Sequence, residues 1–319
     1  MSDETIKQLH RAGRSNVPAM LGNLAGVAIG ALSLATGWPT THPAWIVLVT
    51  LWLAYFQHTW TMIFHEDAHY TLYRARWHNV LNGTIVGTLL LVPFSVYRQV
   101  HVRHHSKMNT PEDWELWPYT DPKTSLRFRQ VFVWFDLLLG LLAGPYIYGR
   151  IYFVRGSPLT DRRLRRRIAL EYALAGVFWG GLLAVVAYHH AWALFARVYL
   201  VPAWLTGMIQ TTRKLTEHLG MPAGDPMRGA RTVLWKTPVG RFFSYTSFHI
   251  FAHGLHHRYP QMPHDKLEEA YRATKEGRAG GVVFHSYWAA VRDMASHLLR
   301  PGIGANAGPA AGALPAPAA

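Results

Sequence analysis

His249-Ile250-Phe251-Ala252-His253-Gly254-Leu255-His256-His257 places four histidines within nine residues of a largely apolar chain. Two further clusters precede it: His65-Glu66-Asp67-Ala68-His69 and His101-Val102-Arg103-His104-His105. On a helix, residues at i, i+3 and i+4 share a face. His65 with His69, His101 with His104 and His105, and His253 with His256 and His257 all follow that spacing. Each cluster therefore presents two or three imidazoles to one point. Neutral imidazole suits iron, copper and zinc. Eight such rings exceed what one ion needs, so two metals are expected.

The surroundings of these clusters read as membrane. Half of the 319 residues are hydrophobic and 16% are charged, against roughly 25% charged in soluble domains. Thirteen tryptophans and fifteen tyrosines suit membrane–water interfaces, where amphipathic rings settle. Cysteine is absent, which excludes disulfides, thiolate metal sites and a cysteine nucleophile. The net charge of +14 comes from basic residues dispersed among apolar segments. They make no basic face on a soluble module, so no nucleic-acid partner is expected.

Four apolar runs are long enough to cross a bilayer, which takes about 20 residues: Val17 to Trp38, Pro43 to Phe64, Ile168 to Ala187 and Ala191 to Ile209. They are expected to pair as two hairpins. Val80 to Val96 is shorter and holds Asn82, Gly83, Gly87 and Pro93, which predicts a re-entrant or partly buried segment. Val131 to Val154 is aromatic-rich and predicts interfacial helices. The expected fold is thus an all-α integral membrane protein whose histidine boxes sit in a cytoplasmic helical cap. Residues 1–16 are expected to form a cytoplasmic segment, 17–301 a single membrane domain, and 302–319 a disordered Gly/Ala/Pro tail.

The arginines set the orientation. Lys7, Arg11, Arg14 and the Arg162–Arg167 run belong in the cytoplasm by the positive-inside rule. The loops at 38–43 and 188–190, which carry no Lys or Arg, then lie outside. The same count puts all three clusters and both termini on the cytoplasmic side of what is expected to be a bacterial inner membrane.

His65-Glu66-Asp67-Ala68-His69 also fits H-E-x-x-H, the helical pattern of zinc proteases with a glutamate base. A mononuclear zinc site needs one further protein ligand, which leaves two clusters unexplained. A membrane metal transporter would place its ligands near the bilayer midplane on broken helices, whereas these lie at or beyond span ends.

Three boxes, HxxxH, HxxHH and HxxHH, separated by apolar runs, resemble the membrane fatty acid desaturase superfamily. His256-His257-Arg258-Tyr259-Pro260-Gln261-Met262-Pro263 resembles that family's HHxYPxxP extension, and Arg213-Lys214-Leu215-Thr216-Glu217-His218 resembles an RxxxEH segment of bacterial members. The likeness covers roughly residues 45–270. It implies two irons held by His65, His69, His101, His104, His105, His218, His253, His256 and His257. His249 departs from the family, where asparagine is common, and the likeness leaves it as an outer partner or an extra ligand. Glu217 is expected to orient a ligand histidine, and Asp113 and Glu115 to do the same or to cap a helix. The implied reaction uses O2 as co-substrate and puts a double bond into a lipid acyl chain. The same boxes serve hydroxylases and ketolases of alkanes, carotenoids and other lipids, so both outcomes stay open. The chain has no HPGG-type haem segment and no cysteine for an iron–sulfur centre, so a separate ferredoxin- or rubredoxin-like donor with its reductase is expected.

Overall fold

The computed structural model of the chain describes residues 9, 16–273 and 281–307. Most of the expected N-terminal segment, and the tail beyond residue 307, lie outside the described residues. Among the described residues, four helices are long and apolar enough to cross a membrane: α1 (Val17–Thr36), α2 (Pro43–His69), α7 (Arg162–Tyr188) and α8 (Trp192–His218). Local chemistry sets their ends. Pro18 and Pro43 sit in the first turns of α1 and α2, where a missing N–H costs nothing. Gly37, at φ +75, closes α1 in the left-handed conformation and donates its N–H to Ser33. Glycine also lets α1 lie against α2. Gly26 meets the Phe56 ring, and its carbonyl accepts from Trp52 Nε1 at 2.9 Å.

Helix α2 is longer than the membrane requires. Its 27 residues span about 40 Å at about 1.5 Å per residue, more than the roughly 30 Å hydrocarbon core. The helix runs on through His65 and His69 without a break. Helix α8 is also 27 residues long and carries Glu217 and His218 out in the same way. It contains a single π turn, Ala196–Leu200.

The run containing Pro93 forms two helices, α3 (Arg76–Leu89) and α4 (Phe94–Lys107), bent by 105°. A chain that turns at membrane depth must satisfy its freed backbone groups from protein. Trp179 Nε1 donates to the Thr88 carbonyl at 2.8 Å, and the Tyr199 hydroxyl donates to Leu89 at 3.3 Å. The start of α4 has no cap of its own, because Pro93 offers no side-chain acceptor. Glu171 of α7 supplies one: it accepts the Ser95 N–H at 2.8 Å and the Ser95 hydroxyl at 2.6 Å. Glu171→Ala leaves both donors buried without an acceptor and is expected to cost about 1–3 kcal/mol. The check is a lowered midpoint of thermal unfolding in detergent, with Glu171→Gln falling between alanine and wild type.

Contacts along α7 are mainly with α3 and α4, while α8 packs chiefly on α2 and on the short helices that follow the second box. The re-entrant turn draws Trp179 and Tyr199 to itself, so α7 and α8 meet near their connection and do not pack along their lengths. Helices α5 (Leu126–Leu138) and α6 (Gly140–Phe153) have 13 and 14 residues, too short to span. They lean on α8 where Gly140 and Gly207 bring their backbones together, leaving no room for a Cβ on either glycine.

Beyond α8 the chain forms α9 (Pro238–Thr246), α10 (His253–Arg258), α11 (His264–Ala273) and α12 (Tyr287–Ala295). It also forms one parallel pair of three-residue strands, β1 (Arg231–Val233) with β2 (Val282–Phe284). Residues 302–307, placed by composition in the disordered tail, are instead packed. Ile303 is fully buried, its N–H donates to the Tyr119 carbonyl, and the Gly304 N–H donates to Met221.

Candidate metal centre

The C-terminal ends of α2 and α8, the last two turns of α4 and the short α10 converge on one point. Box one comes from the overshoot of α2, box two from the re-entrant α4, and box three from α10. His218 comes from the last residue of α8. Ring nitrogens of His65, His69, His101, His105 and His256 lie within 4.8 Å of one another. The same holds for those of His104, His218 and His257, and a Glu217 carboxylate oxygen lies within that distance of ring nitrogens of His218 and His253, which are as close to each other. The structure thus brings together all nine expected ligands. Eight are buried and His105 is partly exposed. His104 lies beside both assemblies, its ring 5.8 Å from His105 and 4.9 Å from His218.

The donor set suits cations. His218 Nε2 faces His253 Nε2 at 2.8 Å, and His257 Nε2 faces the same atom at 3.0 Å. His69 Nε2 and His101 Nε2 are 3.0 Å apart. Facing imidazole nitrogens share at most one proton, so lone pairs crowd together here without a counter-charge. His65 Nε2 and His256 Nε2 are buried with no hydrogen-bond partner, a state that calls for an ion or water. Burial, and after it the neighbouring imidazoles, holds His253, His256 and His257 well below the usual imidazole range. The neutral, ligating form is therefore the one present at neutral pH.

Outer carboxylates hold the rings. Glu115 accepts from His101 Nδ1 at 2.8 Å and from the Tyr148 hydroxyl at 3.0 Å. Asp113 accepts from His104 Nδ1 at 2.7 Å and from the Asn109 N–H at 3.0 Å. A carboxylate on Nδ1–H fixes the tautomer and leaves Nε2 free to ligate. Burial alone would raise the Glu115 carboxyl; the His101 imidazole, His104 and the Tyr148 hydroxyl bring it down to about 2. Glu217 differs from these two. One of its oxygens pairs with Arg213, and the other lies 3.5 Å from His253 Nε2, the nitrogen that faces His218. It sits on the inner side of the cluster.

His249 lies outside these groups. Phe248 and His249 both adopt left-handed φ, +53 and +49, so the chain turns before α10 begins, and helical spacing does not reach back to 249. The ring instead meets Ser244 Oγ at 3.0 Å and Glu268 at 3.3 Å, and stacks on His264 at 5.3 Å. Box spacing gives no sign of Tyr148, Glu171 or Arg231. For Glu171 the usable signal is a lone carboxylate inside an apolar run.

Below the histidines, a cavity of about 160 Å³ lies between α2, α4, α6 and α8. It reaches from His65, His101 and His218 down to Leu89, Gly144 and Tyr199. Gly140 and Gly144 line it, whereas Gly87 packs against Val92 and Phe64 and does not.

The family model described as fatty acid desaturase matches residues 43–288. An sn-1 acyl-lipid omega-3 desaturase (ferredoxin) of Synechocystis is 24% identical over 277 residues, 77% of this chain and 75% of that protein. A chloroplastic sn-2 acyl-lipid omega-3 desaturase (ferredoxin) of Arabidopsis thaliana is 26% identical, covering 72% of this chain and 56% of its own. A Delta(12) fatty acid dehydrogenase of Crepis alpina is 25% identical, with 66% and 62% covered. The chain spans less than two thirds of the two plant relatives.

Proposed function

The chain belongs to the fatty acid desaturase family, and on that premise we propose that it is an O2-dependent membrane desaturase of lipid acyl chains. The observation that carries this reading is the convergence of nine imidazoles from three boxes and α8 at the head of a cavity between membrane helices. His65, His69, His101, His105 and His256 would hold one iron; His104, His218, His253 and His257, with Glu217 beside them, would hold the second. When bound, the iron pair supplies oxygen activation and removal of hydrogen from an unactivated C–H bond.

The chain's own residues do the rest. Glu115 and Asp113 orient His101 and His104. Helices α2 and α8 present rings from rigid continuations of membrane spans, and the cavity wall excludes water and places one carbon beside the centre. The zinc-protease reading fits less well. Glu66 is occupied by Asn16 Nδ2 at 2.8 Å and the Thr71 hydroxyl at 2.6 Å, so it is not positioned as a free base. The proposed electron donor is a separate ferredoxin-type protein: the names of the Synechocystis and Arabidopsis relatives carry the word ferredoxin, and the net charge of +14 suits an acidic carrier. The distribution of arginines supports an orientation with the boxes and both termini on the cytoplasmic side of a bacterial inner membrane.

Expression with a matched donor, followed by lipid mass profiling, tests the activity. Loss of two hydrogens is expected, and gain of one oxygen would make the protein a hydroxylase. Purified protein is expected to hold about two irons per chain; one zinc and no iron would end this reading. Stripping the metal with a chelator is expected to lower the unfolding midpoint, because the imidazole cluster then loses the charge that organises it. Restoring ferrous iron is expected to bring the midpoint back.

A further inference from the structure

One face of α2 forms the cavity wall that leads up to the centre: Gln57, Trp60, Thr61, Phe64 and His65, at helical spacing. A channel for methylene groups alone would be apolar here. Gln57 is 4% exposed. Its oxygen is 3.4 Å from the Thr206 hydroxyl, and its amide nitrogen donates to no described residue. The buried Trp60 Nε1 likewise has no acceptor among the described residues. The Thr61 hydroxyl on the same wall is already committed to Gln210 at 2.8 Å. One wall of the cavity thus carries a buried N–H donor without a partner, Trp60 Nε1, a state that folded proteins rarely tolerate, and beside it the Gln57 amide, whose nitrogen is uncommitted among the described residues. Polar groups placed in an otherwise apolar pocket fix the orientation of a ligand.

We infer that Gln57 and Trp60 bind an acceptor oxygen carried by the lipid substrate, and that the double bond is positioned by its distance from that oxygen. This rests on the desaturase reading. Gln57 and Trp60 lie eight and five residues before His65, about 12 and about 7.5 Å along the helix. The acceptor thus sits several carbons from the reacting one. Two sources share this chemistry: the acyl carbonyl, or an oxygen within the chain.

The test compares wild type with Gln57→Leu, Trp60→Phe and the double variant in cells that lack desaturases of their own but contain a matched donor. The cells receive two saturated acids of different length and one acid with an ether oxygen in the chain. With the carbonyl as ligand, the double bond keeps a constant distance from the carboxyl end in both saturated acids. With a chain oxygen as ligand, only the ether acid is turned over well, and the position tracks the ether. In either case each single variant is expected to lose up to about tenfold in product, one hydrogen bond being worth about that factor, and the double variant about 10–100-fold with the double bond spread over neighbouring positions. Its iron content is expected to stay unchanged, which separates this effect from misfolding.

A double bond counted from the methyl end, with all variants behaving as wild type, would overturn the inference and leave the donors to ordered water. Thermal shift supplies a reading without turnover. A saturated methyl ester or a dialkyl ether is expected to raise the midpoint of wild type more than an alkane of matched length, and the double variant is expected to lose that difference. If no lipid gains a double bond, the desaturase reading falls, and the thermal shift still decides the donor site; equal shifts for ester, ether and alkane would refute it.

Discussion

His104→Ala protein is expected to purify with its metal content sharply reduced and its product formation down by more than about 100-fold. The outer partner of a metal-bound histidine is by itself worth about 10–100-fold, and His104 is both an expected ligand and the holder of such a partner. Its ring is 3% exposed, stands 4.9 Å from His218 and 4.7 Å from His257, and is tied by Nδ1 to Asp113 at 2.7 Å. Truncation removes an imidazole beside both assemblies. It also leaves the buried Asp113 oxygen with the Asn109 N–H as its donor. Elemental analysis and lipid profiling read the two losses separately. Asp113→Asn keeps the shape and is expected to fall in the milder 10–100-fold range. His249→Asn is the control: it lies outside the groups and is expected to keep its metal. Unchanged metal and turnover in His104→Ala would remove the basis for the two-iron reading.

The second large effect is expected at Arg231, whose role is structural. It is 2% exposed, donates Nε to Asp293 at 2.6 Å, and donates Nη1 to the carbonyls of Thr216 and Leu219 at 3.1 and 2.8 Å. Those carbonyls flank His218, so Arg231 fastens the end of α8 where it delivers a ring to the centre. Removing one member of a buried ion pair costs about 3–5 kcal/mol. Asp293 is 29% exposed, so Arg231→Met is expected near the lower end, about 3 kcal/mol. Lysine is not expected to rescue it, because a single ammonium cannot reproduce the fork that reaches a carboxylate and two carbonyls. Denaturation in detergent measures the loss. Metal content is expected to fall with it in the Met variant and to stay nearer wild type in Asp293→Ala.

The parts of this molecule that depend on local pattern are legible in its sequence. Apolar runs mark the four spans, Pro93 and its glycines mark the re-entrant turn, and i, i+4 spacing marks the three boxes. His218 stands alone in sequence and is visible through the RxxxEH likeness. What stays hidden depends on partners far along the chain. Glu171 caps a helix that begins 77 residues earlier, and Arg231 is paired 62 residues away. His249 is illegible for a different reason: its spacing from His253 suggests a shared helix that two left-handed residues prevent. The loose packing of α7 on α8 is equally hidden, since hydropathy records that a segment can cross a bilayer and is silent on which neighbour it prefers.

The 27-residue course of α2 and α8 makes the membrane a ruler for the reaction centre. Hydrophobic mismatch is relieved by tilting the helix or deforming the bilayer. A tilt of α2 or α8 would swing His65, His69 and His218 with it, whereas the second box rides on α4, which follows a 105° bend and is capped by Glu171. A change in bilayer thickness therefore moves the boxes relative to one another as well as together. Unsaturation of the surrounding acyl chains, the property a desaturase's product alters, would thus act mechanically on the geometry of its own centre.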